Sequence, residues 1–354
     1  MINEFFDRLA SYGVEYIQRD GHHEIWNESL SQLTYKPIEL TSEMIDYQHA
    51  YMAEINSEII DLSFIILSGG KTCGLWLLTA SKTNSQWTLT SCGQPVVAPI
   101  FFDSTPRKLE KRFCSNAMAF FCNILDLGFK GPLATQQGPV GGGKDVLCTE
   151  WYRQAMQHEA IVSVGHDLYV DLTLPLEEIR SHFRKSYKPF INKGLREWNH
   201  SIFSSENIDK KSWEEFRNLH KTVSGKVTRG EITWDAQFEM IKSGKAFLVL
   251  LRDLKSDKLV GGGFFQYTQD EGIYSVAAFD RSLFDKPLGH VVQQLTIEHM
   301  KSMGLRWYRL GERQYLHCDN GVTKKEVDIS MFKEGFSTIM RCRLNLILPP
   351  SNNS

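Results

Sequence analysis

AFLVLLRDLKSDKLVGGGFFQYTQDEGIYSVAAFD, Ala246 to Asp280, carries the strongest structural signal in this chain. Two apolar runs, AFLVLLRD (Ala246–Asp253) and LVGGGFFQY (Leu259–Tyr267), flank the polar turn Lys255-Ser256-Asp257, and GIYSVAAFD (Gly272–Asp280) adds a third run. Such runs, rich in branched and aromatic residues and bounded by turn residues, predict an antiparallel meander. A loop with Pro287 and Gly289 leads into a predicted helix from His290 to Met303, with Val292, Leu295, His299 and Met303 on one side. Gly304 ends that helix, RWYRLG (Arg306–Gly311) is a further strand, and the chain closes on the apolar run Ile339–Leu348.

The first half repeats the theme. SFIILS (Ser63–Ser68), the turn Gly69-Gly70 and TCGLWLLTA (Thr72–Ala80) predict a hairpin, with a third strand at WTLTSC. Thr105 and Pro106 predict an N-cap and first turn, and Leu109, Phe113, Ala117, Phe120 and Ile124 keep helical spacing up to a C-cap at Gly128. A meander, a helix and a further strand in each half predict an α+β fold built from a duplicated module, with 1–165 the first and 166–354 the second.

Length and composition set the class. A chain of 354 residues exceeds what one hydrophobic core usually supports. With 42% hydrophobic and 23% charged residues it has the composition of an ordinary globular protein. No window approaches a membrane span, and MINEFFDRLASYG carries charges where a signal peptide needs an apolar core, so a cytoplasmic location is expected. The seven cysteines are widely spaced with no C-x-x-C, which predicts reduced, mostly buried thiols. His22-His23 beside Glu24 is the nearest approach to a ligand cluster among eleven histidines, and no metal site is expected.

Between Arg180 and Arg196 lie six basic residues and no acidic one, in a chain of net formal charge −2. Arg180, Arg184 and Lys188 recur every four residues, so one helix would carry them as a cationic stripe beside the apolar stripe of Ile179, Phe183 and Tyr187. The charge fits an anion site as well as a solvated face. Pro189 is expected to kink or end this helix, because its ring removes a hydrogen bond and clashes with the preceding turn. GPVGGGK (Gly138–Lys144) fits seven positions of a phosphate-binding loop, but Asp145 stands where a magnesium-ligating hydroxyl is needed, so it is read as a plain glycine loop.

The order of elements resembles the GNAT acyltransferase fold, and a tandem of two such modules resembles the Fem family of bacterial peptidyl transferases and Fem-like proteins of polysaccharide biosynthesis. Five segments carry the likeness: YVDLTLPLEEIRSHFRKSYKPFINKG, DKKSWEEFRNLHKTVSGKVTRG, the strands KLVGGGFFQY and GIYSVAAFDRSLF, and KKEVDISMFKEGF. The long helical insertion of members that use aminoacyl-tRNA has no counterpart here. The loop DRSLFDKPLGHV is also poorer in glycine than the usual pyrophosphate loop.

The resemblance implies an acyltransferase with acyl-CoA, acetyl-CoA above all, or aminoacyl-tRNA as donor, needing no metal. The acceptor would be an amine on a nucleotide- or lipid-linked sugar or peptide precursor of a surface polysaccharide or cell wall. It implies that Phe332-Lys333 handles the donor ester and its developing charge. A positioned ammonium can stabilise an oxyanion where water is excluded. Arg281, Lys286, Gly289 and His290, at a helix N-terminus, are expected to hold the donor. Arg180, Arg184, Lys188 and Arg229 would supply countercharge to the acceptor. In GERQYLHCDN, Glu312, Tyr315, His317 and Asp319 are the candidates for a base, with Glu312 and Tyr315 taken forward. Two other readings stay open: a non-catalytic module that binds a glycan precursor or partner enzyme, and a tRNA-binding protein whose affinity would fall steeply with salt.

Overall fold

The computed structural model of the chain describes residues 2–130, 133–137, 149–316 and 321–349. The turn Lys255–Asp257 forms as its composition predicts. The Asp253 carboxylate accepts from the backbone N–H of Lys255 and Ser256, and Asp257 takes a φ of 54°. Gly69 and Gly70, both at positive φ, close the hairpin of the first half in the same way.

Two compact units divide the chain: Met1–Gly165 with Cys342–Ser354, and His166–Arg341. The first contains helices α1 (Ile2–Ser11), α2 (His23–Ser31), α3 (Ser42–Ala53), α4 (Arg107–Cys122) and α5 (Glu150–Gln157). Its strands are β1 (Glu15–Gln18), β2 (Glu58–Asp61), β3 (Phe64–Ser68), β4 (Lys71–Trp76), β5 (Thr79–Thr83), β6 (Gln86–Thr90), β7 (Val96–Val97), β8 (Ile100–Phe101) and β9 (Leu133–Gln137). β1-β3-β4-β8 and β2-β5-β6 are antiparallel sheets, so the predicted single strand Thr72–Ala80 is divided between them. Trp76, Phe113, Phe121 and Trp151 meet in the core, with Trp76 and Trp151 edge to face at 5.3 Å. Pro106 occupies the N-cap of α4, and the Thr105 hydroxyl donates instead to the Cys73 carbonyl at 2.7 Å. The helix ends at Cys122, and Gly128 follows a separate 3₁₀ turn, Ile124–Leu127.

Strand β10 (Ile161–Asp171) crosses the boundary into the second unit, which continues with α6 (Leu176–His182), α7 (Tyr187–Glu197), β11 (Trp198–Phe203), α8 (Lys210–Ser224), α9 (Glu231–Lys242), β12 (Ala246–Asp253), β13 (Leu259–Tyr267), β14 (Glu271–Phe279), α10 (Leu288–Ser302), β15 (Trp307–Glu312) and α11 (Lys324–Glu334). β11 to β14 pair antiparallel in sequence order, β14 runs parallel to β15, and β15 is antiparallel to β10. Helices cover both faces. A Cβ on Gly262 would lie 2.7 Å from Leu250 and 3.2 Å from Phe216 of α8, and one on Gly263 would lie 3.1 Å from Val292 of α10. The glycine run in β13 therefore exists because helices press on it from both sides. Gly262→Ala is expected to destabilise the protein by about 1–3 kcal/mol through overpacking, read from the midpoint of urea unfolding.

Two expectations change. The basic segment is two helices, because the chain turns extended at Phe183 (φ −60°, ψ 143°) and α7 starts only at Tyr187. Pro189 lies in the first turn of α7, where a missing N–H costs nothing, so it starts a helix instead of ending one. The last strand, β16 (Ile339–Ile347), does not close the second unit: from Cys342 onward the chain belongs to the first. Arg343–Ile347 pair with β9, and alternation sends Leu344 and Leu346 into the first core. Among the described residues, Cys73, Cys114 and Cys122 are buried free thiols and Cys342 is an exposed one. Nor is any described helix long and apolar enough to cross a membrane.

Candidate functional site

Parallel strands stay together only while their ladder lasts. β14 and β15 pair over three positions, Glu271 with Trp307, Gly272 with Tyr308 and Ile273 with Arg309, yet β14 continues to Phe279 and β15 to Glu312. Beyond Ile273 and Arg309 the two strands part and leave a notch. A bulge in the pairing of β13 with β14 falls here too, with Phe265 opposite Tyr274 and Phe264 opposite Val276. Ser275 is the extra residue, and bulges of this kind bend a strand and re-aim its side chains.

Lys333 of α11 reaches this notch. Its amino nitrogen stands 4.7 Å from the Tyr274 ring centroid, and a Cβ on Gly311 would lie 3.0 Å from it. Gly311 has φ +121°, a conformation that side-chain-bearing residues rarely adopt, so the strand passes the ammonium with nothing between them. Among the described residues the Lys333 ammonium has no carboxylate or hydrogen-bond partner. Burial alone lowers its pKa from 10.5 to about 8. The Tyr274 phenol is pushed up, also by burial.

The rest of α11 holds this lysine in place. Thr323 and Glu326 form a reciprocal cap at its start. At the other end Arg313, just past β15, donates to Glu334 at 2.8 Å and to Ser330 at 3.1 Å. Arg184 donates to the Met331 carbonyl at 3.0 Å and the Tyr187 hydroxyl to the Phe332 carbonyl at 3.2 Å. Donors at the carbonyl end of a helix satisfy its orphan acceptors.

The predicted residues separate into groups. Phe332 and Lys333 come together with Gly289 and His290, since a Gly289 Cβ would touch the Phe332 ring at 3.1 Å and the His290 ring lies 5.1 Å from it. His290 is caged by Tyr187, Phe190, Phe332 and Phe336. Burial, aided by Arg184, lowers its pKa to about 4, so it is neutral at physiological pH and offers no countercharge. Lys286 stands two residues before α10, 3.8 Å from Asp285, and Arg281 is exposed on a 3₁₀ turn.

Arg180 donates to Asn192, Arg184 lies over the Tyr187 ring at 5.2 Å, and Lys188 is half-buried with no ion pair among the described residues. Arg184 is thus a docking residue as well as a charge. Arg229 is not with them: it packs on Trp234, 5.6 Å away, in the α8–α9 layer across the sheet from α7 and α10. Glu312 ends β15 opposite Asp167. Tyr315 is held between Arg313, at 4.3 Å, and His166, at 5.6 Å. His317, Asp319 and the loop Gly138–Lys144 lie outside the described residues. Among the described residues no cluster of three His, Cys, Asp or Glu could hold a metal ion.

Tyr274, Gly311 and Arg313 escaped sequence reasoning. The only available signal was the glycine inside RLGER, at the end of a strand.

In sequence, the chain matches no protein-family model and no curated protein. In structure it is similar to FemX, with a TM-score of 0.65 at 11% identity over 95% of this chain and 97% of that one. It is also similar to L-PGS from Bacillus licheniformis (TM-score 0.56, 12% identity, 94% of this chain and 92% of that one). A third likeness is to a tandem GNAT protein of the clavulanic acid biosynthesis pathway (0.50, 12%, 96% and 100%). The chain therefore has a tandem GNAT fold of the Fem-like kind: α+β, two modules, each a mostly antiparallel twisted sheet with flanking helices.

Proposed function

We propose that this protein is an acyltransferase, moving an acetyl or aminoacyl group from an activated donor to an amine on a phosphate-bearing sugar or peptide precursor of a surface polysaccharide or cell wall. One observation carries the reading: an uncompensated, buried ammonium, Lys333, at the parting of β14 and β15. The tandem GNAT structure is described as being without AcCoA, so acetyl-CoA is the first donor to try.

In this reading the donor carbonyl enters the notch with its oxygen toward Lys333. The acceptor nitrogen attacks the carbonyl carbon, and the electron pair displaced onto oxygen meets the ammonium. As the tetrahedral intermediate collapses, the C–S bond of a thioester, or the C–O bond of an ester, breaks. The leaving group accepts the proton that the amine gives up. Glu312 and Tyr315 are the candidates to relay that proton. Donor phosphates lie toward the start of α10, where Gly289 and His290 offer backbone N–H groups and Lys286 and Arg281 offer charge. Lys188, Arg180 and Arg184 serve the acceptor phosphate, and Arg229, across the sheet from them, takes no part.

Release of CoA thiol from acetyl-CoA in the presence of an amino-sugar phosphate tests the reading. With a pKa of about 8 the lysine is mostly charged at pH 7. If the charge stabilises the oxyanion, kcat falls as pH rises through about 8, and Lys333→Arg, which stays charged, moves that limb upward. A rate that instead climbs through the same pH assigns the lysine to proton abstraction. No turnover with either acetyl-CoA or charged tRNA leaves a binding module.

A further inference from the structure

Gln266 is an amide in the interior of the second unit: it is 2% exposed, on β13, against Met240 of α9. Burying an amide costs about 1–3 kcal/mol unless its hydrogen bonds are replaced, so its partners should explain its place. On one side its Nε2 donates to the Met240 sulfur at 3.1 Å, a weak acceptor. On the other its Oε1 accepts from the Ser275 hydroxyl at 2.5 Å. Ser275 is the extra residue of the β14 bulge, and Gln266 stands opposite Ile273, the last position at which β14 still pairs with β15. The glutamine is therefore tied to the strand at the mouth of the notch.

This tie lies on the far side of the sheet from Lys333. Phe265 stacks on Phe247, which meets His299 of α10, and its ring lies 5.6 Å from that of Tyr274, so Tyr274 belongs to the α10 face. Gln266 and Ser275 belong to the α9 face. The extra residue of a bulge has lost its ladder partner, so the contacts of its side chain decide where along the strand the bulge sits. Were the extra residue taken up one place away, side chains would change faces, and Tyr274 would turn from the ammonium that stands 4.7 Å from its ring. A shape so sensitive to one position needs an anchor, and the Ser275 hydroxyl has one in Gln266.

We propose that Gln266 is a positioning residue for Lys333: it fixes the bulge through Ser275, and the bulge holds the Tyr274 ring under the ammonium. Catalysis at Lys333 thus depends on a hydrogen bond made on the opposite face of the sheet. The inference rests on the reading of Lys333 as the group that meets the oxyanion, and it gives Gln266 no contact with substrate.

A carbon-13 NMR titration of protein labelled at the lysine ε-carbon tests this without substrate, the Lys333 signal being the one that Lys333→Met removes. In the native protein that signal is expected to titrate near pH 8. In Gln266→Leu and in Ser275→Ala the ring moves away and water reaches the amine, so the midpoint should rise by about one pH unit or more, toward 10.5. The double variant should titrate like either single one, because both changes break the same bond. Ser275→Thr, which keeps the hydroxyl, should titrate like the native protein. Far-ultraviolet circular dichroism establishes that each variant is folded. Should Gln266→Leu fail to fold, Ser275→Ala, at a half-buried position, gives the same test. A native midpoint near 8 that none of the variants moves overturns the proposal and leaves the reading of Lys333 standing, even where Gln266→Leu lowers stability. Additive shifts in the double variant also overturn it, since the two residues would then act separately. With a native midpoint near 10.5 the proposal falls together with the reading of Lys333.

Discussion

Lys333→Met lowers kcat by about two to three orders of magnitude and at the same time makes the protein more stable. The first effect follows from the charge: an ammonium aimed at a developing oxyanion acts in the transition state, so kcat and kcat/KM fall together. The second follows from the same burial. The folded pKa of about 8 lies below the unfolded value near 10.5, so the native state holds the proton of this amine more weakly than the unfolded chain does, and at neutral pH the charge destabilises it. Removing that charge returns up to about 3 kcal/mol. The sign gives a further check. The penalty is complete below pH 8 and fades as pH rises toward 10.5, so the stability gap between variant and native protein should close over that range. Urea unfolding at pH 7 and pH 10 measures it. A variant that loses activity but gains no stability would mean that Lys333 is hydrated. A rise in KM with kcat unchanged would make it a binding residue.

Gly311→Ala attacks the same ammonium from the strand. The φ of +121° costs an alanine about 1–3 kcal/mol of strain, and its methyl would stand 3.0 Å from the Lys333 nitrogen. Either the strand or the lysine gives way. Misplacing a catalytic group by an ångström costs up to about 100-fold, and that is the expected loss in kcat. A displaced lysine also becomes better hydrated, so its pKa climbs back toward 10.5 and the alkaline limb of the rate profile moves up with it. Strain alone would lower stability without moving that limb.

Local chemistry was legible in the sequence, and long-range pairing was not. The strands of Ala246–Phe279 and the turn at Lys255–Asp257 follow from alternation and from Asp253, and α10 begins within two residues of its predicted start because Pro287 and Gly289 punctuate it. The basic segment misled because Phe183 and Tyr187 keep helical spacing across a break. Spacing reports which residues are buried, here 2% and 5% exposed, but not whether the backbone between them stays helical. Phe332-Lys333 was visible through resemblance. Its setting was not, because the notch depends on strands that meet at Ile273 and Arg309 and on a glycine whose φ no pattern reveals. Arg184 was read as a ligand for phosphate, whereas much of its bonding capacity secures the end of α11.

The return of the chain from Cys342 to the first unit makes that unit discontinuous, with all of His166–Arg341 inserted between its parts. β9 acquires its antiparallel neighbour only after the whole second unit has been synthesised. The first unit therefore stays short of its full core until the chain beyond Arg341 is made, because Val96, Phe129 and Trp151 share that core with the leucines at 344, 346 and 348. Order of synthesis and order of completion are thereby reversed, and the part of the protein made first is the part finished last.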